Sequence, residues 1–391
     1  MPFCRRRARA PHQLCVLRPG HTRDRSPVAR DRMTRAPDKP TLLSATLGHP
    51  ESVRGFVKTD WERLVWQSRA AELMAQLHSR LSDSGVLDLA PEAARRHLGL
   101  ASTIATRHAS AVRHELRGLQ EALQPLGVPV LLLKGAAYAA MSHPAAMGRI
   151  FNDIDLMVPK AALPQVEERL HWAGWFPALT TAYDERYYRE WMHEIPPLEH
   201  KNRGTVLDVH HTILPPTSGI RPDPADLFAQ STALVGEWSF FRVLAPTDMV
   251  IHSACHLFFG EFHKGLRDLF DLDALLSDFS RQPGFWRALV ERARQLQLGL
   301  PVLDALQQCQ RVYNTTVPEP VGDELSRCAA SPWPRSWRAW LFDHALRPAH
   351  ASAFGRSTRL AHGAIFVRSH WLRMPLPLLV RHVSHKLFVA D

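Results

Sequence analysis

Asn152-Asp153-Ile154-Asp155-Leu156-Met157-Val158 is the stretch whose reading decides the fold. A short apolar run of this kind reads as a buried strand. It carries two carboxylates, two residues apart. Side chains on a strand alternate between faces, so Asp153 and Asp155 point the same way and Ile154 faces the core. Like charges this close repel, and neither gains from burial. A cation between them resolves the conflict. Carboxylate and water oxygens suit Mg²⁺, which needs few protein ligands because it also binds substrate phosphates.

A neighbouring strand should supply a third carboxylate. Val206-Leu207-Asp208-Val209-His210 does so, with Asp208 between apolar neighbours. Three carboxylates, Asp153, Asp155 and Asp208, suffice for two metal ions ~3.5–4 Å apart, clamping the attacking and leaving oxygens of an in-line displacement. His210 shares a face with Asp208, whereas His211 points away.

Upstream, the run from Val128 to Leu133 reads as another buried strand, ended by Lys134-Gly135 and a short helix from Ala136 to Met141. Glycine lets backbone approach a phosphate, a helix N-terminus attracts anions, and Lys134 adds a point charge. Arg149, four residues before Asp153, offers a planar fork for phosphate. The alternative for Lys134 and Arg149 is ordinary surface charge at strand ends.

Further out the periodicity is helical. Trp61, Leu64, Val65, Leu73, Leu77 and Leu81 predict a helix, and a second is expected from Pro91 to Leu123. After the strand at 152–158, a helix from Lys160 to Ala173 and a strand from Trp175 follow. Residues 193–200 and 204–211 read as a hairpin around Lys201-Asn202-Arg203-Gly204. Pro196-Pro197 should confine its first strand to a sheet edge. Arg242 to Leu244 reads as a last strand. Beyond Pro246 the pattern is helical, with Thr247 as the expected N-cap. The division is therefore a basic tail over 1–40, a helical lead-in over 41–124, an α+β core over 125–245 and a helical domain over 246–391.

In order and spacing, Leu131-Leu-Leu-Lys-Gly135, Arg149, Asp153-Ile-Asp155-Leu-Met-Val158 and Leu207-Asp208-Val-His210 resemble the uncharacterised nucleotidyltransferases of the DNA polymerase β-like superfamily. The resemblance covers roughly residues 60–280. It implies a small mixed β-sheet backed by helices, with metal carboxylates at Asp153, Asp155 and Asp208. It implies transfer of a nucleoside monophosphate from an NTP, with pyrophosphate leaving. It names no acceptor, which could be a protein hydroxyl, a sugar, an RNA end or a small metabolite. The superfamily's usual Gly-Ser pair is here Gly135-Ala136, so one hydroxyl contact to the triphosphate is missing. A nucleotide-binding or scaffold protein that does not turn nucleotides over is the alternative this departure leaves open.

The C-terminal half holds a second polar series: His252, His256, His263, Arg267 and Asp271. Gly260 and Gly265 predict that it spans two helices. The resemblance extends to His256, Arg267 and Asp271. With His210, these residues would form an acceptor-side wall. The plainer alternative is an Arg267–Asp271 ion pair with packed histidines. A metal-dependent phosphohydrolase that needs an adjacent His-Asp dyad is excluded, because the chain has no His-Asp dipeptide.

Charge narrows the partners. The formal net charge is +10, but residues 1–40, with ten Arg, one Lys and three Asp, supply +8 of it. The remainder is close to neutral, so nucleic acid is not indicated as a partner of the core. The tail is rich in Arg and Pro without apolar periodicity, and is expected to be disordered and dispensable. The five Cys fit no disulfide framework or zinc spacing. With no apolar run approaching ~20 residues, a reducing cytoplasm is the expected location. The Trp and Phe residues of the C-terminal half read as core. The basic, apolar stretch from Phe366 to Phe388 has a membrane-surface character, but Pro375 and Pro377 interrupt it, so docking against the protein's own core is expected.

Overall fold

A computed structural model describes residues 40–381 apart from 179, 180, 330 and 376. The basic tail, except Pro40, and the last ten residues lie outside the described residues.

The fold is α+β, built on a seven-stranded mixed sheet. Its strands are β1 (Val130–Leu132), β2 (Asp153–Met157), β3 (Trp175–Pro177), β4 (Leu198–His200), β5 (Val206–His210), β6 (Thr232–Ala233) and β7 (Phe241–Val243), in the order β3-β4-β5-β2-β1-β7-β6. β2 pairs with β5, and β1 with β7, in parallel; the other pairs are antiparallel. The acid-bearing strands β2 and β5 lie near the centre. β5 alternates as its sequence demands: Leu207 and Val209 are fully buried in the core, and Asp208 and His210 share the other face.

Helices precede, interleave and follow the strands. The lead-in comprises α1 (Leu42–Gly48), α2 (Lys58–Ala70), α3 (Met74–Asp83) and the long α4 (Glu92–Leu123). α5 (Lys134–Ala140), α6 (Leu163–Trp172), α7 (Ala182–Arg186) and α8 (Pro224–Gln230) connect the strands. The C-terminal half folds as α9 (Pro246–Phe258), α10 (Gly265–Phe279), α11 (Phe285–Gln295), α12 (Gly299–Tyr313), α13 (Glu319–Cys328), α14 (Arg335–Ala345) and α15 (Arg356–Arg373). The lead-in and the C-terminal half are stitched together. α1 packs on α12, Gln67 Nε2 donates to Ser352 Oγ at 2.9 Å, and Arg80 pairs with Asp273 at 2.9 Å. One continuous apolar core runs from Leu43 to Ile365.

Three local expectations change. The helix expected from Trp61 to Leu81 breaks at Glu72, which takes a left-handed φ of 57°. Its carboxylate there receives Lys264 at 3.1 Å and Arg267 at 3.1 Å. β4 is not an edge: it pairs with both β3 and β5, and Pro196-Pro197 simply precede it. β1 and β2 are antiparallel neighbours, which sets the end of β1 beside the start of β2. α9 starts one residue before Thr247, with Pro246 in its first turn and Ala245 as N-cap, the helical position that tolerates a missing N–H.

Candidate active site

The acids are set by strand register. Asp155 on β2 lies opposite Asp208 on β5, and Met157 lies opposite His210. Asp153 is exposed at the start of β2, and Asp155 is buried. The neighbouring β1 leads into Lys134. The Leu133 N–H donates to the Asp155 carbonyl at 3.0 Å, which sets the start of α5 beside the carboxylates. Lys134 turns the chain in a left-handed conformation, φ 44°, unfavourable for a side chain with a Cβ. Its Nζ donates to Asp155 Oδ1 at 2.6 Å. His210 Nε2 approaches the same oxygen at 3.1 Å.

The electrostatics divide the acids. Burial works against the Asp155 carboxylate, but Lys134 and His210 outweigh it and hold its pKa well below the usual range. Burial likewise opposes the Lys134 ammonium, and Asp155 and Asp153 overcome it, keeping the amine charged. Asp208 is the opposite case. Burial, then Glu194, Asp155 and Asp153, push its pKa well above the carboxylate range, and its Oδ1 is buried without a hydrogen-bond partner among the described residues. Asp153 is raised by desolvation, because surrounding chain crowds its carboxylate although the residue as a whole is exposed, and by Asp155, against Lys134, Arg149 and Arg267.

The proposed phosphate side is more tightly built than its spacing suggested. Arg149 is buried and ion-paired with Asp271 of α10, its guanidinium 5.9 Å from the Tyr138 ring centre. A Cβ on Gly135 would meet Arg149 Nε at 2.9 Å and the Phe151 ring at 3.0 Å. Packing therefore requires this glycine. Ala136 is buried in the core.

The acceptor-side residues fall on two helices, α9 and α10. Arg267 does not pair with Asp271. It binds Asp268 at 2.8 Å and Glu72 at 3.1 Å, while Asp271 goes to Arg149. The exposed His256 stands 3.9 Å from Asp268. His210 and Asp155 are brought together, and Arg267 and Arg149 face Asp153 electrostatically.

Sequence reasoning missed Glu194, His193 and Tyr188. Glu194 Oε2 lies 3.4 Å from His210 Nε2, and the rings of His193 and His210 are 5.1 Å apart. Ligand atoms of His193, Glu194 and His210 all lie within 4.8 Å of one another. The Tyr188 hydroxyl is kept protonated by burial, Glu194 and Asp208. The hairpin itself carried the signal, but its register slips. Leu198 pairs with Leu207, which by simple counting places residue 194 opposite His211. A one-residue slip around Pro196-Pro197 instead brings Glu194 opposite His210, as a β-bulge does.

A mixed sheet carries acids in register on two parallel strands, with a lysine closing on them, as the resemblance to nucleotidyltransferases implies. The family model described as uncharacterised nucleotidyltransferase matches residues 57–314, and the chain belongs to that family. A search of curated proteins finds no match. Among the described residues no helix is long and apolar enough to cross a membrane.

Proposed function

We propose that the chain is a Mg²⁺-dependent nucleotidyltransferase, moving a nucleoside monophosphate from an NTP to an acceptor and releasing pyrophosphate. The observation that carries this reading is the Asp155–Asp208 register, with one oxygen of Asp208 left unpartnered among four carboxylates. An orphaned acidic oxygen beside like charges fits a cation. Asp153, Asp155 and Asp208 would hold Mg²⁺, which when bound supplies charge neutralisation at the phosphates and polarises the reacting oxygens.

The chain's own residues do the rest. Lys134 is half-buried, charged and already aimed at the acids, so its amine is the group to meet the triphosphate. Arg149, held by Asp271, keeps positive potential on Asp153 and fixes the floor beside Gly135. His210 orients the Asp155 carboxylate through Nε2. On the acceptor side the exposed His256 of α9 is the group free to meet an acceptor. Arg267, held by Glu72 and Asp268, and Asp271, held by Arg149, support that wall from behind.

A nucleotide-binding protein that does not turn NTP over is the second reading, favoured by Ala136, which offers no hydroxyl to the triphosphate. One experiment separates the two. The purified protein is incubated with each α-labelled NTP, Mg²⁺ and cell extract, alongside Asp208→Asn. Label moving to an acceptor with the parent and not with the variant supports transfer. Saturable NTP binding with no label moved, for any of the four nucleotides, establishes the second reading.

A further inference from the structure

Charge is distributed unevenly along this chain in a way the catalytic site does not explain. Residues 344–390 contain six Arg, one Lys and six His, and no Asp or Glu. Residues 41–343 contain 30 basic and 34 acidic residues. An acidic body thus carries a cationic C-terminal segment, which includes α15.

One side of α15 is held by the core. Thr358, Ala361, Ile365 and Ser369 are buried, Arg368 donates to the Phe258 carbonyl, and its guanidinium lies 5.3 Å from the Phe342 ring centre. Docking on the protein's own core therefore accounts for half of the helix. The other half is an apolar stripe in solvent: Leu360 is 69% exposed, Val367 64% and Trp371 61%. Their spacings of seven and four residues put all three on one face. Arg356 and Arg359 border the stripe at its start, and neither forms an ion pair among the described residues. Val380, beyond the two prolines, is 57% exposed.

We propose that this face of α15 docks the protein on an anionic membrane surface. Burying the aliphatic and indole side chains in the acyl boundary recovers apolar contact, while the cationic flank is drawn to anionic headgroups. Charge complementarity selects the partner, because a segment with no carboxylate meets a negative surface without repulsion. The apolar centre then separates lipid from nucleic acid: Leu360 and Val367 have no ring to stack on a base, whereas acyl chains take them directly. The helix is too short and too polar to span, so it lies in the interface. Its last turn is tied back to the body. Thr217 Oγ1 donates to the Arg373 carbonyl at 2.6 Å, and Arg373 lies 3.8 Å from Glu261. The proposal does not rest on the catalytic reading.

The test is vesicle flotation of the full chain with phosphatidylcholine alone and with phosphatidylcholine containing phosphatidylserine, at low and high salt. The parent should float with the anionic vesicles, release at high salt and ignore the neutral ones. Leu360→Ser/Val367→Ser/Trp371→Ser, and separately Arg356→Glu/Arg359→Glu, should each weaken flotation by roughly tenfold or more, since each removes one of the two required signals. All five positions are exposed, and unchanged circular dichroism confirms the fold. Equal flotation of parent and both variants would show that the N-terminal tail, not α15, is the anchor, and overturns the proposal. So would capture of single-stranded RNA without vesicle binding, or a dimer that the serine variant dissociates while the parent ignores vesicles.

Discussion

Asp155 and Asp208 lie opposite each other on two parallel strands, yet only Asp155 is neutralised. It takes Lys134 at 2.6 Å and His210 at 3.1 Å on a single oxygen. Asp208 faces Glu194, Asp155 and Asp153, and its Oδ1 has no hydrogen-bond partner among the described residues. Without metal, the two acids therefore pull stability in opposite directions.

Asparagine at each position reads this out. Asp155→Asn leaves the Lys134 ammonium buried without its counter-charge, and losing one partner of a buried pair costs about 3–5 kcal/mol. Asp208→Asn removes a carboxylate that burial and its neighbours disfavour, so the thermal midpoint stays level or rises. Both should abolish nucleotide transfer. The measurement is thermal unfolding in chelator near neutral pH. Equal destabilisation by the two variants would show that the acids are not divided in this way.

Lys134 occupies the oxygen of Asp155 that a cation would claim. Lys134→Met keeps the apolar stem and removes the charge. In chelator the variant should be less stable than the parent, because the buried Asp155 carboxylate is left with His210 alone. Added Mg²⁺ should then raise its midpoint more than the parent's. NTP binding should weaken roughly ten- to a hundredfold, the worth of one charge-assisted phosphate contact at about 1.5–3 kcal/mol. Calorimetric titration with NTP and Mg²⁺ measures this. Unchanged NTP affinity would make Lys134 a structural counter-ion only.

How much of this was legible follows from where the causes lie. The pair on β2 and the acid on β5 could be read because strand alternation is local: Ile154, Leu207 and Val209 mark the core face, and the acids fall opposite. Six of the seven strands followed from apolar runs in the same way, whereas the two-residue β6 and the short α7 and α8 show too little periodicity to be read. Tertiary causes stayed hidden. Leu73, Leu77 and Leu81 continue a helical spacing across Glu72, so nothing local announces the break that Lys264 and Arg267 hold in place. The i,i+4 spacing of Arg267 and Asp271 suggested a pair within one helix, but Arg149, far away in sequence, takes Asp271. Glu194 was hidden by a slip of one residue, which reverses every face beyond it.

The Arg149–Asp271 pair is itself testable. Both groups are buried, so Arg149→Ala and Asp271→Ala should each destabilise by about 3–5 kcal/mol by stranding the other charge. The double variant should cost clearly less than the two added together. Urea unfolding of the four proteins gives the coupling. Additive losses would mean that the two side chains do not interact. NTP titration of Asp271→Asn then separates roles. Loss of affinity equal to that of Arg149→Lys makes Asp271 a positioning partner of Arg149. Loss with Arg149→Lys alone makes the guanidinium a direct phosphate contact.

A last prediction concerns pH and lies away from the cleft. Asp304 of α12 is buried, 3.2 Å from Arg338 of α14. Burial pushes its pKa up to about 6, outweighing Arg338 and Arg368, whereas an unfolded aspartate titrates near ~3.9. The folded state therefore binds this proton more tightly than the unfolded state. Between those two values the folded protein carries more protons, so raising the pH through the window weakens the fold. A shift of about two pKa units corresponds to about 3 kcal/mol. Asp304→Asn cannot ionise and should not show this decline. Its stability relative to the parent should grow from about pH 4 to about pH 6, by up to about 3 kcal/mol, and stay constant above. Thermal unfolding of both proteins across that range measures the difference. A parent that gains on the variant over the same window would reverse the sign, and would mean that Arg338 stabilises the Asp304 carboxylate by more than burial penalises it.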